Sequence, residues 1–453
     1  MKIHFIGIGG IGVSALAKYY LEKGYQVTGS DLASSEITEA LKKRGAKITI
    51  GKHKATNVPK NADMVVYSPA VRSDNPEFRK AKKLRIKCLS YPQALGELTR
   101  QYFTIAVSGT HGKSTTASML GLLLVKAGFD PTVIIGTKLK EFGDSNCRVG
   151  KPIRQAQGKI QYLVIEADEH MASFLNYWPK IIVITNIEAD HLDYYKNLGN
   201  ILKAFKKYIG HLPKDGVLVV NKDDKNSLKL KAQIAKLQLK TQSYALKQPE
   251  TKKLKKILKI PGNHNISNAL AALTVARILK ISDKISFKAL LEYKGSWRRF
   301  EEKKAKINNK RITLVSDYAH HPTEIRVTLK AVREKWPRKE IWCVYQPHQY
   351  QRTYYLFSDF VRVFKKAPVD KLIITDIYDV AGREEKKIKQ KISSEKLVKA
   401  INKKNVIYLP KKNVLNHLKE SLQGGEVVII MGAGDIYNLF LGLTRNRRKG
   451  KIH

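Results

Sequence analysis

Short apolar runs recur along the chain at intervals that a helix would fill. The first are Ile3-His4-Phe5-Ile6, Tyr25-Gln26-Val27-Thr28-Gly29, Lys47-Ile48-Thr49-Ile50 and Met64-Val65-Val66-Tyr67. Phe103-Thr104-Ile105-Ala106-Val107, Tyr162-Leu163-Val164-Ile165, Ile181-Ile182-Val183-Ile184 and Val217-Leu218-Val219-Val220 follow. The last group is Thr313-Leu314-Val315, Ile341-Trp342-Cys343-Val344-Tyr345, Lys371-Leu372-Ile373-Ile374 and Val427-Val428-Ile429-Ile430. Most are rich in β-branched residues, as strands buried on both faces require. Helical pattern separates them, clearest from the first Gly-rich turn to Leu21, over 117–126 and over 265–278. Strand–helix alternation predicts an α/β chain with mostly parallel sheets. The pattern falls into three blocks, 1–100, 101–293 and 294–453, consistent with a chain of 453 residues being too long for a single core.

The 103–107 strand runs into Ser108-Gly109-Thr110-His111-Gly112-Lys113-Ser114-Thr115-Thr116, and a helix follows. Strand, Gly-rich turn and helix N-terminus together make a phosphate site, because free backbone N–H groups and the helix dipole favour anionic oxygens. Gly109 and Gly112 permit close backbone approach, Lys113 has the reach for terminal phosphates, and the Ser114 hydroxyl suits Mg²⁺. Strict P-loop spacing asks for glycine where this chain has Val107, so the loop is a shortened form. Carboxylates follow the next strand in Ile165-Glu166-Ala167-Asp168-Glu169-His170, where Mg²⁺ ligands belong in a parallel sheet. Thr185-Asn186-Ile187-Glu188-Ala189-Asp190-His191-Leu192-Asp193 follows another strand, and its His191 suits a metal, phosphate oxygens or plain solvent.

Near the start, Gly7, Gly9, Gly10, Ile11 and Gly12 form a dinucleotide-type turn, and Asp31 sits where a ribose-binding acid would. The turn reports a diphosphate over a helix N-terminus and is silent on nicotinamide, so a UDP-sugar fits as well as NAD. In the third block, Trp297-Arg298-Arg299-Phe300-Glu301, Ser316-Asp317-Tyr318-Ala319-His320-His321-Pro322-Thr323-Glu324 and Tyr345-Gln346-Pro347-His348-Gln349-Tyr350-Gln351-Arg352-Thr353 gather His, Arg, Asp and Gln. That mixture suits a carboxylate-bearing substrate, since Arg forks pair with carboxylates.

Composition adds limits. Cys88, Cys147 and Cys343 show no zinc or disulfide spacing, which suits a reducing cytoplasm. No signal peptide and no membrane-spanning apolar run is evident. The formal charge of +45 raises a nucleic-acid partner, but the lysines are spread along the chain and no aromatics interleave with the clusters at 252–256 and 445–449. We therefore expect no specific nucleic acid and no membrane insertion.

These residues together resemble the Mur ligase family, over nearly the whole chain. The matching stretches are 7–12 with Ser30-Asp31, Asp74-Asn75-Pro76-Glu77, 109–115, 166–169 with Ser173-Phe174-Leu175, 186–193, Pro261-Gly262-Asn263-His264-Asn265 with Asn268-Ala269, Arg298-Arg299-Phe300-Glu301, 320–324, Gln346-Pro347-His348 with Arg352-Thr353, and Gly432-Ala433-Gly434-Asp435-Ile436. The resemblance implies three domains: a Rossmann-like UDP-sugar domain, a central P-loop ATPase domain and a C-terminal Rossmann-like domain that brings in the amino acid. It implies ATP-dependent joining of L-alanine to the lactyl carboxylate of UDP-N-acetylmuramate through an acyl phosphate, in peptidoglycan precursor synthesis. By the resemblance, Gly109, Thr110, His111, Gly112, Lys113, Ser114 and Thr115 hold ATP phosphates, and His264, Asn265 and Asn268 hold or flank the adenine. Ser114 and Glu166 ligate one Mg²⁺ and His191 a second; His320 and Arg352 contact the lactyl group or the amino acid; Gly9, Gly10, Ile11, Gly12 and Asp31 lie along the UDP.

The chain departs from the family pattern at Gln349, where the family has Arg, at His170-Met171 in place of Ser-Asp, and at Val13 and Ala15 in place of Met and Gly. The resemblance leaves the oligomeric state, monomer or dimer, open. Three other functions compete: a peptide-adding recycling ligase of the same family, a basic nucleic-acid-binding or regulatory protein on an inactive ligase scaffold, and an NAD oxidoreductase. The first sits poorly with Gln346-Pro347-His348 and Arg352-Thr353, the second with intact phosphate and metal residues, and the third leaves 109–115 without a purpose.

Overall fold

The computed structural model describes residues 1–151, 160–380 and 386–444. β1 (Lys2–Ile6), β2 (Gln26–Asp31), β3 (Lys47–Ile50), β4 (Met64–Tyr67) and β5 (Lys87–Ser90) form a parallel sheet in the order β3-β2-β1-β4-β5. The order turns back beside β1, which opens a ligand crevice at the carboxyl ends of β1 and β4.

β6 (Phe103–Ser108), β7 (Thr132–Leu139), β8 (Ser145–Arg148), β9 (Tyr162–Ala167), β10 (Ile181–Ile184), β11 (Val217–Asn221) and β12 (Lys240–Tyr244) form the second sheet, in the order β12-β11-β10-β6-β9-β7-β8. It is parallel except for the β7–β8 hairpin. β6 lies at its centre with Ile105, Ala106 and Val107 wholly buried, so the phosphate loop leaves the most enclosed strand.

The third sheet contains β13 (Glu301–Ile307), β14 (Lys310–Asp317), β15 (Ile341–Tyr345), β16 (Lys371–Ile374), β17 (Val406–Tyr408) and β18 (Val427–Met431), in the order β13-β14-β18-β15-β16-β17, with only β13 antiparallel. Strand periodicity of two sorts its side chains. Cys343 and Tyr345 join a core with Leu329, Phe360 and Phe364, whereas Trp342 and Val344 join one with Leu418 and Phe440 on the other face.

The chain divides into two compact units. One contains Met1–Ala189, Asn197–Leu258 and Ile266–Lys294, and so the first two sheets; the other contains Asp190–Lys196, Lys259–Asn265 and the described residues from Gly295 onward.

Every strand expected from the apolar runs is present, some longer at their ends. β5, β7, β8, β12, β13 and β17 were not among them. Five of these stand at sheet edges, and β7 pairs with the edge strand β8; Glu301-Glu302-Lys303-Lys304-Ala305-Lys306 alternates charge and half-burial as an edge strand can. The 252–256 lysines lie on the helix Glu250–Ile257, which buries only Leu254 and leaves those lysines in solvent. The 445–449 cluster lies outside the described residues. No helix among the described residues is long and apolar enough to cross a membrane. Cys147 and Cys343 are buried thiols and Cys88 is half-buried.

A buried carboxylate ties the first sheet to the helix Pro76–Lys83. Glu77 is wholly buried and accepts from Ser30 Oγ at 2.6 Å and Asn57 Nδ2 at 2.7 Å, with His4 Nε2 at 3.1 Å and His53 Nδ1 at 3.0 Å. Burial alone would raise its pKa, but these hydrogen bonds outweigh it and bring the group down to about 2 from 4.5. A depressed carboxylate stabilises the fold above its unfolded pKa and ceases to as pH falls through the folded one. Stability worth about 3 kcal/mol is therefore expected to vanish between about pH 4.5 and pH 2. Urea unfolding of the wild type and Glu77→Gln at pH 6 and pH 3 checks this: the variant should lose less on acidification, and equal losses would remove Glu77 as the source.

Candidate functional site

The loop after β6 folds as the sequence requires. Gly109 (φ +127°) and Gly112 (φ +83°) adopt backbone that other residues resist, and a Cβ would lie 2.2 Å from Thr185 Oγ1 at the first and 2.4 Å from Asn268 Oδ1 at the second. The segment after β10 braces the loop from behind. Thr110 N–H donates to the Asn186 carbonyl (2.9 Å), His111 N–H to Asn186 Oδ1 (3.0 Å), and Thr185 Oγ1 to the His111 carbonyl (2.6 Å). Glu188 N–H donates to Thr110 Oγ1 at 2.8 Å, and the Glu188 carboxylate stands 3.6 Å from His111 Nε2. These contacts engage the first amides of the loop. The amides of Gly112, Lys113, Ser114 and Thr115, at the start of the helix Lys113–Lys126, have no partner among the described residues, as expected for helix-terminal donors.

Lys113 Nζ donates to the Gly109 carbonyl (2.7 Å), the Thr110 carbonyl (3.3 Å) and Glu169 Oε2 (2.9 Å), with Asp168 Oδ1 at 3.6 Å. Burial would lower the ammonium's pKa, yet Glu169 and then Asp168 hold it above its ordinary value. Ser114 Oγ donates to Glu166 Oε2 at 2.9 Å, and Glu166 Oε1 accepts from Gly136 N–H at 2.6 Å. A hydroxyl and a carboxylate beside unengaged helix-terminal amides form a hard oxygen donor set that fits Mg²⁺ with phosphate.

The other predicted residues distribute as follows. Asn268 packs its amide against Gly112. Asn265 Nδ2 donates to the Pro261 carbonyl at 2.7 Å. His264 belongs to the second unit, where burial lowers its pKa to about 4, and its ring fills the space that a Cβ on Gly262 (φ +96°) would need. At the first turn, Gly9 N–H donates to Asp31 Oδ2 at 2.8 Å, so one Asp31 oxygen holds the turn itself. Gly10 precedes the helix Ile11–Glu22, and Gly12 lies under Tyr91, whose Cζ a Cβ would approach to 2.9 Å.

His191 also belongs to the second unit, at φ +52°, with its N–H donating to Asp190 Oδ1 at 2.8 Å and its Nε2 3.7 Å from Asp190 Oδ2. Arg352 Nε reaches Asp190 Oδ1 at 3.2 Å, and its guanidinium also meets His348 Nδ1 at 3.3 Å. Asp190 and Arg352 are both 8% exposed. Burial would raise the Asp190 pKa, but Arg352 and then His191 hold it well below the usual carboxylate range. His320 Nδ1 lies 3.0 Å from the Tyr318 carbonyl and 3.2 Å from Glu324 Oε2, and burial takes its pKa down to about 3. Gln349, at φ +72°, lines a recess with Asp190, His191, Asp193, Arg352 and Tyr355. Ser114 and Glu166 are thus brought together on one unit, and His191, His320 and Arg352 are built on the other.

Three residues escaped the sequence reading. Glu169, the Lys113 partner, was visible only as one of several clustered acids. Asp190 reads as a flank of His191, and nothing in the sequence joins it to Arg352, 162 positions away. Tyr91 carries no motif; burial and then the Glu166 and Asp168 charges raise its phenol's pKa.

Three family models match the chain: Mur ligase family, catalytic domain, over residues 2–103; Mur ligase middle domain, over 107–276; and Mur ligase, glutamate ligase domain, over 298–434. The chain is 42% identical over 461 residues to a UDP-N-acetylmuramate–L-alanine ligase of Acetivibrio thermocellus, covering 96% of this chain and 94% of that protein. The protein of the same name from Caldanaerobacter subterraneus subsp. tengcongensis is 41% identical, with 97% and 96% covered. Among solved structures, the UDP-N-acetylmuramate–alanine ligase of Thermotoga maritima superposes with a TM-score of 0.77 at 27% identity, covering 97% of each chain. A murein peptide ligase of Psychrobacter arcticus shares the fold at a TM-score of 0.72 and 22% identity, with 98% of each chain covered.

Proposed function

The chain belongs to the Mur ligase family, and from that premise we propose that it joins L-alanine to the lactyl carboxylate of UDP-N-acetylmuramate at the expense of ATP. The observation that carries the reading is the phosphate loop, with Lys113 against Glu169 and Ser114 against Glu166, in a chain that matches named ligases over nearly its whole length. A carboxylate resists amine attack until one of its oxygens becomes a good leaving group. Transfer of the ATP γ-phosphoryl group to the lactyl oxygen supplies that group and releases ADP. The alanine amine then attacks the acyl carbon, the amide bond forms, and phosphate leaves.

By this reading the amides of 112–115 and the Lys113 ammonium receive the nucleotide phosphates. Two anions must approach each other, and a fixed cation lowers that barrier. Ser114 and Glu166 would hold one Mg²⁺ and His191 a second, and such ions would neutralise phosphate charge. Asn265 and Asn268, with His264, serve the adenine. Gly9, Gly10, Ile11, Gly12 and Asp31 hold the UDP. His320 and Arg352 orient the lactyl group or the amino acid, and Gln349 faces the same recess as Arg352. We keep the division into 1–100, 101–293 and 294–453 as UDP-sugar, ATP and amino-acid domains. We place the reaction in the cytoplasm, where unpaired thiols persist and ATP is available.

Phosphate release with ATP, Mg²⁺ and UDP-N-acetylmuramate, with single amino acids added in turn, tests the proposal. Release is expected to require both the UDP-sugar and L-alanine. Protein that binds the UDP-sugar yet releases nothing with any single amino acid would overturn it in favour of peptide addition or an inactive scaffold.

A further inference from the structure

The first Gly turn and the Ser114–Glu166 pair, both in the first unit, are connected by one small element, the β7–β8 hairpin. On β8, Asn146 is 1% exposed. Its Nδ2 donates to the Ile11 carbonyl at 2.5 Å and to Ser14 Oγ at 2.9 Å, gripping the residue between Gly10 and Gly12. Its Oδ1 accepts from Lys18 Nζ at 2.7 Å. Lys18 is 5% exposed, and no carboxylate pairs with it among the described residues. Burying an ammonium without an anion is unfavourable, and an apolar side chain there would serve stability better. What the ammonium does is dictate orientation. It has donors only, so it holds Asn146 with the carbonyl oxygen toward itself and the NH₂ group toward Ile11.

On β7, Gly136 donates its N–H to Glu166 Oε1 at 2.6 Å. Ile134 pairs with Cys147, so Gly136 and Asn146 leave the hairpin at neighbouring levels, beside the register shift. A Cβ on Gly136 would stand 3.3 Å from Glu166 Oε2, which fixes how closely the strand approaches the acid.

We propose that Asn146, oriented by Lys18, is a positioning residue that sets the UDP-sugar turn at a fixed distance from Glu166 through the β7–β8 hairpin. The inference rests on the function proposed above. The lactyl carboxylate must reach the γ-phosphate with both ends of the substrates already held, and misplacement of one turn is felt as lost rate.

Asn146→Asp tests it, because the carboxylate keeps and strengthens the link to Lys18 while losing the donors to Ile11. Lys18→Met and Lys18→Arg accompany it. Isothermal titration with UDP-N-acetylmuramate, steady-state kinetics and melting temperature are measured on each full-length protein. Asn146→Asp is expected to weaken UDP-N-acetylmuramate binding about tenfold and lower kcat. KM for ATP and the melting temperature should stay near wild type. Lys18→Met should lose affinity and kcat in the same way without a lower melting temperature, and Lys18→Arg should keep both near wild type. Unchanged sugar-nucleotide affinity and kcat in Asn146→Asp would overturn the inference, as would a fall in melting temperature alone. A wild type that binds UDP-N-acetylmuramate without turnover would sink the proposed function, and the titrations would still decide the role of Asn146.

Discussion

Lys113→Met is expected to lower ADP formation by about three orders of magnitude, a transition-state loss near 4 kcal/mol. The ammonium's three donors go to two loop carbonyls and Glu169, so one of these bonds is handed over to the nucleotide, and the cation then offsets the charge of the transferring phosphoryl group. The same substitution strands Glu169, which is 3% exposed, without its counter-charge. Glu169 should take up a proton and the fold should weaken, so the melting temperature must be read beside the rate. Binding of UDP-N-acetylmuramate should persist, because its turn belongs to the first sheet. A coupled ADP assay and a ligand-induced thermal shift separate these outcomes, and turnover within tenfold of wild type would remove Lys113 from the chemistry.

Arg352→Met should be the most damaging change for stability. Asp190 is buried, and its low pKa is held by the guanidinium. Removing one partner of such a pair costs about 3–5 kcal/mol, because the other remains charged in the interior. In the wild type the pair stabilises above the ordinary carboxylate range and stops doing so as pH falls through the depressed pKa. The variant should therefore be much weaker than wild type at pH 7 and closer to it at pH 4, where the variant's buried carboxyl, left without its guanidinium, takes up a proton while the wild-type pair stays charged. Guanidinium denaturation at pH 7 and pH 4 measures the difference, and Asp190→Asn added to Arg352→Met should recover part of the loss. A single variant as stable as wild type at pH 7 would show that the pair carries no such energy. Turnover should fall as well, by the site assignment made above.

Strands and loops differ in how far the chain announces them. The central strands are legible because burial on both faces demands uninterrupted Val and Ile, as in Ile181-Ile182-Val183-Ile184. Edge strands such as Lys240–Tyr244 need only one covered side, and their polar residues imitate loops. The phosphate loop is readable because its chemistry is contiguous, from the glycines to Ser114. Pairs made across the fold leave no local trace: Lys18 with Asn146 is 128 positions apart, and Glu77 with His4 is 73. Their residue types are common, and only the topology brings them together.

The second compact unit is stitched from separated stretches, Asp190–Lys196, Lys259–Asn265 and the chain from Gly295. Exchanged as a C-terminal cassette from Gly295, it would leave behind two of its stretches. A chimera joined near residue 295 would take Arg352 from one parent and Asp190 from the other, so the buried pair survives only if both parents keep the same two residues in register. A fragment beginning at Gly295 would carry the guanidinium into its interior without the Asp190 carboxylate it pairs with here. A crossover upstream of Asp190 keeps the pair within one parent, whereas one between Lys196 and Gly295 depends on both parents carrying it.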